Sequence, residues 1–235
     1  LSGFAKVEWW IDNGGHTNTT GLVVSLATEG THLLHIRARD VADLVSSTID
    51  IPYSLDINVP TITHSIAGTF GGANRTVNWY RTPVNLSLLA SDSGSGVASI
   101  AYRLDGGPNT TYASPLSFAT EGSHNVSATA ADNVAHISAT LNVPAFGVDL
   151  TPPTSAPTLN GALDQDDGIY KTMVNVSFAA TDALSGVGSN LLKINTGSGF
   201  VPYTTRLVHN ISGNWTIAYF ATDVAGNAEP VKRIV

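Results

Sequence analysis

Cysteine is absent from the 235 residues, so the chain has no disulfide, no thiolate zinc site and no thiol nucleophile. Charge is scarce as well: only 12% of residues are Asp, Glu, Lys or Arg, about half the usual share. Eleven Lys and Arg against 18 Asp and Glu give a net charge of −7, which excludes the basic footprint of a nucleic-acid binder. No apolar run reaches the ~18 residues a membrane-spanning helix needs. A sustained 3.6-residue pattern is missing too, which argues against long helices. What is present is Ser and Thr, 48 together, with 22 Gly, 11 Pro and a hydrophobic fraction of 43%. That fraction is enough for packed cores and excludes general disorder. The composition is that of an all-β, extracellular chain.

Internal repetition organises the sequence. Ser2-Gly3-Phe4-Ala5, Ser95-Gly96-Val97-Ala98 and Ser185-Gly186-Val187-Gly188 start alike. Two copies continue to hairpin tips at Asp12-Asn13-Gly14-Gly15 and Asp105-Gly106-Gly107, then to Thr28-Glu29-Gly30-Thr31-His32 and Thr120-Glu121-Gly122-Ser123-His124. The third has His209-Asn210-Ile211-Ser212-Gly213-Asn214 instead. All reach an aspartate after a strand: Asp40, Asp132 and Asp223. One unit of about 91–92 residues matches the size of an immunoglobulin-like sandwich. The expected domains are a partial repeat over 1–55 and full repeats over 56–148 and 149–235.

Alternation predicts the strands. Val84, Leu86, Leu88 and Ala90 point inward, as do Ile100, Tyr102 and Leu104, and Val126, Ala128 and Ala130. The third copy repeats this with Val174, Val176, Phe178 and Ala180, then Ile217, Tyr219 and Ala221. About seven strands per full unit predict a two-sheet, Greek-key sandwich. Asp56–Thr61 aligns with Asp149–Thr154, two short proline-stiffened linkers that predict a rod. The first copy opens where the others already have about 35–40 residues behind them, so its first two strands are missing and an edge is exposed. Two readings stand: a piece of a longer array, which is preferred, or completion by a neighbour's strand beside Phe4–Ile11 or Leu33–Arg39.

Thr181-Asp182-Ala183-Leu184-Ser185-Gly186-Val187, Tyr102-Arg103-Leu104-Asp105-Gly106-Gly107, Glu121-Gly122-Ser123-His124 and Thr222-Asp223-Val224-Ala225-Gly226-Asn227 together resemble the tandem Ig-like repeats of bacterial and archaeal surface proteins. The resemblance spans the chain. It implies stalks, surface-layer or filament subunits, adhesin spacers or accessory modules of secreted enzymes. Asp40-Val41-Ala42-Asp43 and Asp132-Asn133-Val134-Ala135-His136 depart from the pattern where it has a Gly turn.

Sequons fall at Asn18, Asn74, Asn85, Asn109, Asn125, Asn175, Asn210 and Asn214. Chance would give about three or four in a chain so rich in Ser and Thr. Asn85, Asn125 and Asn175 lie on the polar phase of strands, where a glycan is sterically allowed. Occupancy by N-linked glycans would favour an archaeal or eukaryotic secretory route.

Strand ends and linker also gather acidic residues. Asp149, Asp182 and Asp223, with Asn227 nearby, are predicted to converge in copy three, and Asp56, Asp92 and Asp132, with Asn58, in copy two. Carboxylates and loop carbonyls suit Ca²⁺. The alternative is that these aspartates cap turns through their own backbone.

Chemistry is otherwise thin. No His-Glu-X-X-His run and no Gly-X-Ser-X-Gly elbow occurs. His32 and His35, three apart on one strand, face opposite sides; His32 and His124 are equivalent and read as structural. Copy two has no lysine for an isopeptide crosslink. Trp10, expected to face outward, and Trp79 and Tyr80 are candidates for interface or sugar contact, or covers for a strand edge. The expectation is a non-catalytic structural protein of the cell surface, in an extracellular filament, surface layer or sheath, meeting copies of itself or other surface proteins end to end or by strand donation. The alternative is an adhesin stalk or a carbohydrate-binding accessory module.

Overall fold

The computed structural model describes residues 2–19, 23, 25–165, 169–194, 199–204, 207–209 and 213–235. It is all-β. The strands are β1 (Phe4–Ile11), β2 (Thr17–Thr19), β3 (Gly30–Asp40), β4 (Ile49–Leu55), β5 (Thr61–Ala67), β6 (Phe70–Asn74), β7 (Val77–Tyr80), β8 (Val84–Ser91), β9 (Val97–Leu104), β10 (Thr110–Thr111), β11 (Leu116–Phe118), β12 (Gly122–Asp132), β13 (Leu141–Val148), β14 (Thr154–Asn160), β15 (Val174–Thr181), β16 (Val187–Ile194), β17 (Val201–Pro202), β18 (Leu207–His209), β19 (Ile217–Asp223) and β20 (Lys232–Ile234). Among the described residues no helix is long and apolar enough to cross a membrane.

The second repeat pairs a six-stranded sheet, β10-β9-β12-β13-β7-β6, with a three-stranded one, β11-β8-β5. Val84, Leu86 and Phe118 of the small sheet meet Val126, Val143, Phe146 and Val148 of the large one in a single core. That interleaving defines a β-sandwich. The third repeat has sheets β14-β15-β18 and β17-β16-β19-β20, with Val176, Phe178, Ile217 and Tyr219 between them. Alternation is the cause in both cases: Val84, Leu86 and Leu88 are buried while Asn85 and Leu89 are exposed. Leu104, expected inward, is 36% exposed because it ends β9 at the Asp105 hairpin tip.

The second repeat holds nine strands rather than about seven. The extra hairpin β6–β7 turns at Arg75, φ 58°, and β7 adds in parallel to β13, Phe146 opposite Asn78 and Val148 opposite Tyr80.

Residues of the first repeat form one sheet, β2-β1-β3-β4. Of the two segments expected to be an open edge, Leu33–Arg39 is not one, because β3 is central and paired to β1 and β4, whereas β1 meets β2 on its outer side over Val7–Trp9. Among the described residues β4 is paired on one side only, by β3.

By compactness the chain falls into two units that cut through the second repeat. One is Leu1–Ile62 with Ala90–Ile100 and Thr129–Ala139. The other is Thr63–Leu89 with Ala101–Ala128 and Thr140–Val235, and it contains both apolar cores.

Candidate metal centres at the strand ends

In the larger unit, three aspartates converge as the spacing predicts. Asp149 comes from the linker, Asp182 from the end of β15 and Asp223 from the end of β19, and one oxygen of each lies within 4.8 Å of the others. The local chain fixes each carboxylate. Asp182 Oδ1 accepts from Leu184 N (3.1 Å) and Gly186 N (2.7 Å), an Asx-type turn that needs Gly186 at φ 84°. Asp149 accepts from Thr151 N (3.2 Å) and Ser185 N (3.0 Å). Asp223 accepts from Asn227 N and Nδ2, both at 2.8 Å, and Nδ2 also donates to Asp149 O at 2.8 Å.

Asp149 is 0% and Asp223 4% exposed, and among the described residues no Lys, Arg or His pairs with any of the three. Burial pushes the Asp223 carboxyl up, the Asp149 charge adds to this, and the Asn227 hydrogen bonds oppose it. Buried carboxylates of like sign normally call for a countercharge. The donor set is all oxygen, as a hard divalent cation prefers.

The smaller unit does not repeat this set. Asp56, Asp132 and His136 come together, whereas Asp92 stays outside the group. Asp92 Oδ1 is tied to Gly94 N (3.1 Å) and Gly96 N (2.9 Å), the same turn as Asp182. Asp56 accepts from Asn58 N (3.1 Å) and from Ser95 N (2.6 Å). His136, four residues after Asp132, stands where Asn227 stands after Asp223, with Nδ1 2.9 Å from Asp132 Oδ2. Imidazole adds a nitrogen donor and, when protonated, its own positive charge, so this group has less need of a cation. In the first repeat Asp40 caps the same turn through Ala42 N (2.9 Å) and Leu44 N (2.8 Å).

The repeated Thr-Glu-Gly motif has a role that sequence reasoning missed. Glu121 Oε1 accepts from Leu150 N (2.8 Å) and Thr151 Oγ1 (2.7 Å), and Glu29 accepts from Asn58 Nδ2, so each glutamate holds the linker that follows its repeat. Recurrence was the available signal. Likewise His32 Nδ1 lies 2.7 Å from Asp12 and Nε2 2.8 Å from Glu29 O, so two acceptors favour the charged ring; the Asp12 carboxylate leads in holding its pKa up. His124 Nδ1 meets Asp105 at 2.9 Å.

Asn18, Asn74, Asn85, Asn109, Asn125 and Asn214 are exposed and Asn175 is half-buried; Asn210 lies outside the described residues. Asn74 Nδ2, the atom a glycan would occupy, donates to Ser185 O at 2.7 Å. Trp10 is half-buried, stacked on His16 (4.2 Å) and His35 (5.0 Å) with Arg37 over the ring. Trp79 is not a surface contact residue: it is 6% exposed, and its ring fills the space where Gly147 has no Cβ. Tyr80 packs against the core of the second repeat and meets Phe70 edge-on at 5.6 Å.

No protein-family description matches the chain, and no curated protein matches it. Among solved structures it is similar to fibronectin(III)-like modules of Clostridium thermocellum CbhA, at 14% identity over 73% of this chain and 91% of that one, TM-score 0.37. It is also similar to a structure of a 1.5-MDa bacterial ice-binding adhesin, at 17% identity over 98% and 84%, TM-score 0.33.

Proposed function

We propose that the chain is a non-catalytic structural segment of a cell-surface protein, three Ig-like repeats over 1–55, 56–148 and 149–235 arranged as a rod in an extracellular filament, surface layer or sheath. Its work is mechanical. Linkers held by Glu29 and Glu121 fix the spacing of repeats, Ca²⁺ at Asp149, Asp182 and Asp223 stiffens one junction, and N-linked glycans cover a surface with few charges. The observation that carries the reading is the pair of buried aspartates, Asp149 and Asp223, held by backbone donors beside Asp182 with no cationic side chain paired to them.

Melting with and without chelator tests the metal. A cation that binds only the folded chain adds about 2.7 kcal/mol at a hundredfold excess over Kd. Calcium is expected to raise the Tm of the wild type and leave that of Asp149→Asn unmoved; identical wild-type curves with and without chelator would refute it. Peptide mapping of native material tests the glycans, and bare Asn at every sequon removes that part of the reading. The alternative, an adhesin stalk or sugar-binding accessory module, is favoured only by Trp10 on the polar face of its sheet. Sugar binding lost in Trp10→Ala would move the assignment there.

A further inference from the structure

Ser95-Gly96 and Ser185-Gly186 are equivalent turns, and in each the serine carbonyl accepts from an asparagine amide. In the second repeat the donor is internal: Asn133 Nδ2 donates to Ser95 O at 2.7 Å and to Gly96 O at 3.2 Å. The residue equivalent to Asn133 in the third repeat is Val224, whose side chain has no donor. Ser185 is 0% exposed, and a buried carbonyl needs a partner. Asn74 supplies it from 111 residues away, with Nδ2 donating to Ser185 O at 2.7 Å.

Asn74 ends β6, and the rest of the β6–β7 hairpin is shaped for the same neighbour. The register against β7 slips between Phe70 and Gly72, which leaves Gly71 as the bulged residue. A Cβ on Gly71 would overlap the Ala225 carbonyl, and one on Gly72 would lie 2.8 Å from Val224 O and 3.2 Å from Val224 Cγ1. Two glycines in a row therefore let this hairpin lie directly against the Val224–Gly226 turn, where Val224 gives an apolar contact instead of a hydrogen bond. Arg81, just past β7, donates Nη1 to Gly226 O at 3.3 Å. The hairpin, Arg81 and both turns of the third repeat belong to the larger compact unit.

We propose that Asn74 is the latch of a joint between the second and third repeats, and that its sequon, Asn74-Arg75-Thr76, carries no glycan while the joint is closed. Its Nδ2 has Ser185 O at 2.7 Å, and a Cβ on Gly186 would meet the same nitrogen at 3.0 Å. N-glycosylation replaces one Nδ2 hydrogen with a bond to the anomeric carbon of a sugar, and the sugar ring then needs the space in which the Ser185-Gly186 turn stands. A closed joint and a sugar on Asn74 exclude each other. A chain glycosylated there before the two repeats dock keeps a loose joint; a docked joint withholds the amide. The latch is independent of the metal. It removes Asn74 from the glycan coat proposed above and leaves the other sequons untouched.

The test reads amide hydrogen exchange on the whole chain, made without glycans and kept in chelator. The reporters are Ser185 N and Gly186 N, bonded to Asp149 and Asp182, and Val224 N, bonded to Gly186 O. Asn74→Ala is expected to speed their exchange about tenfold or more. Thr76→Ala, which destroys the sequon and keeps the amide, is expected to leave it unchanged. Gly71→Ala opens the joint by steric overlap with Asn74 intact, and serves as the second variant should Asn74→Ala not fold. Asn133 N, the second-repeat equivalent of Val224 N, is the control and is expected to keep its rate in every variant. The chain carrying one N-acetylglucosamine on Asn74 is expected to exchange as Asn74→Ala does. Wild-type rates in Asn74→Ala, acceleration by Thr76→Ala, equal acceleration at Asn133, or slow exchange with the sugar in place would each overturn the proposal.

Discussion

Ala135 holds a left-handed backbone, φ 72°, at the third position after Asp132, where Asp43 (φ 65°) and Gly226 (φ 89°) stand after Asp40 and Asp223. The turn therefore forms in every repeat, closed by the bridges Arg39–Val45, Ala131–Ile137 and Thr222–Ala228, whether or not glycine is there. Non-glycine residues meet steric strain in this region of about 1–2 kcal/mol. Ala135→Gly is accordingly expected to stabilise the chain by about 1 kcal/mol in urea unfolding, after part of the relief is offset by the freer unfolded chain; a destabilised variant would contradict this account. At this scale the sequence was partly legible. Repeated residues such as Glu29, Glu121, His32 and His124 stood out by recurrence, but their partners lie about 20 to 30 residues away in sequence. Trp79 was left between a contact role and a structural cover for a related reason: its burial depends on the missing side chain of Gly147, and no local pattern announces that.

Pairing of β1 with β3 shows what an element adds. Glu8 is 4% exposed on the polar face because three cations enclose it, Arg37, Arg39 and Lys6, the last at 3.6 Å. Hydrogen bonds from Arg39 and then Arg37 lower its pKa to about 2 from 4.5. A carboxyl depressed in the folded state stabilises above its unfolded pKa and loses that contribution as pH falls through the folded one. The stability gap between wild type and Glu8→Gln is thus expected to be full at pH 6 and to close between about pH 4.5 and 2. Urea titrations at three pH values read this directly, and a constant gap would count against it. Strands with two distinct faces, β8, β12, β15 and β19, were legible from alternation. The hairpin β6–β7 was not, since Phe70-Gly-Gly-Ala-Asn74 has no clear alternation and its place is set by the β13 edge it joins. The choice of Leu33–Arg39 as an open edge failed because alternation marks a face without telling which strand is central.

Over the whole chain, motif spacing predicts three repeats while compactness gives two units, and the Asp149, Asp182 and Asp223 convergence followed from where strands two and six of a sandwich end. The substitution of His136 for Asp92 in the other group did not, because Asp92 and Asp182 make the same turn and only packing separates them. The parallel pair β7–β13 has a consequence under tension. If the two ends of the second repeat are drawn apart, the pull passes to the start of β7 once β5 and β6 have come away, and to the end of β13. Side by side and parallel, the two strands are dragged past one another, so the links along Phe146–Val148 are sheared together instead of unzipping in turn. Among the described residues the third repeat has no strand in that place beside β20. Single-molecule stretching is expected to show the third repeat giving way at lower force than the second, and one common force for both would refute this. A chain built so lengthens in stages under load, giving up its weaker link before the stronger is strained.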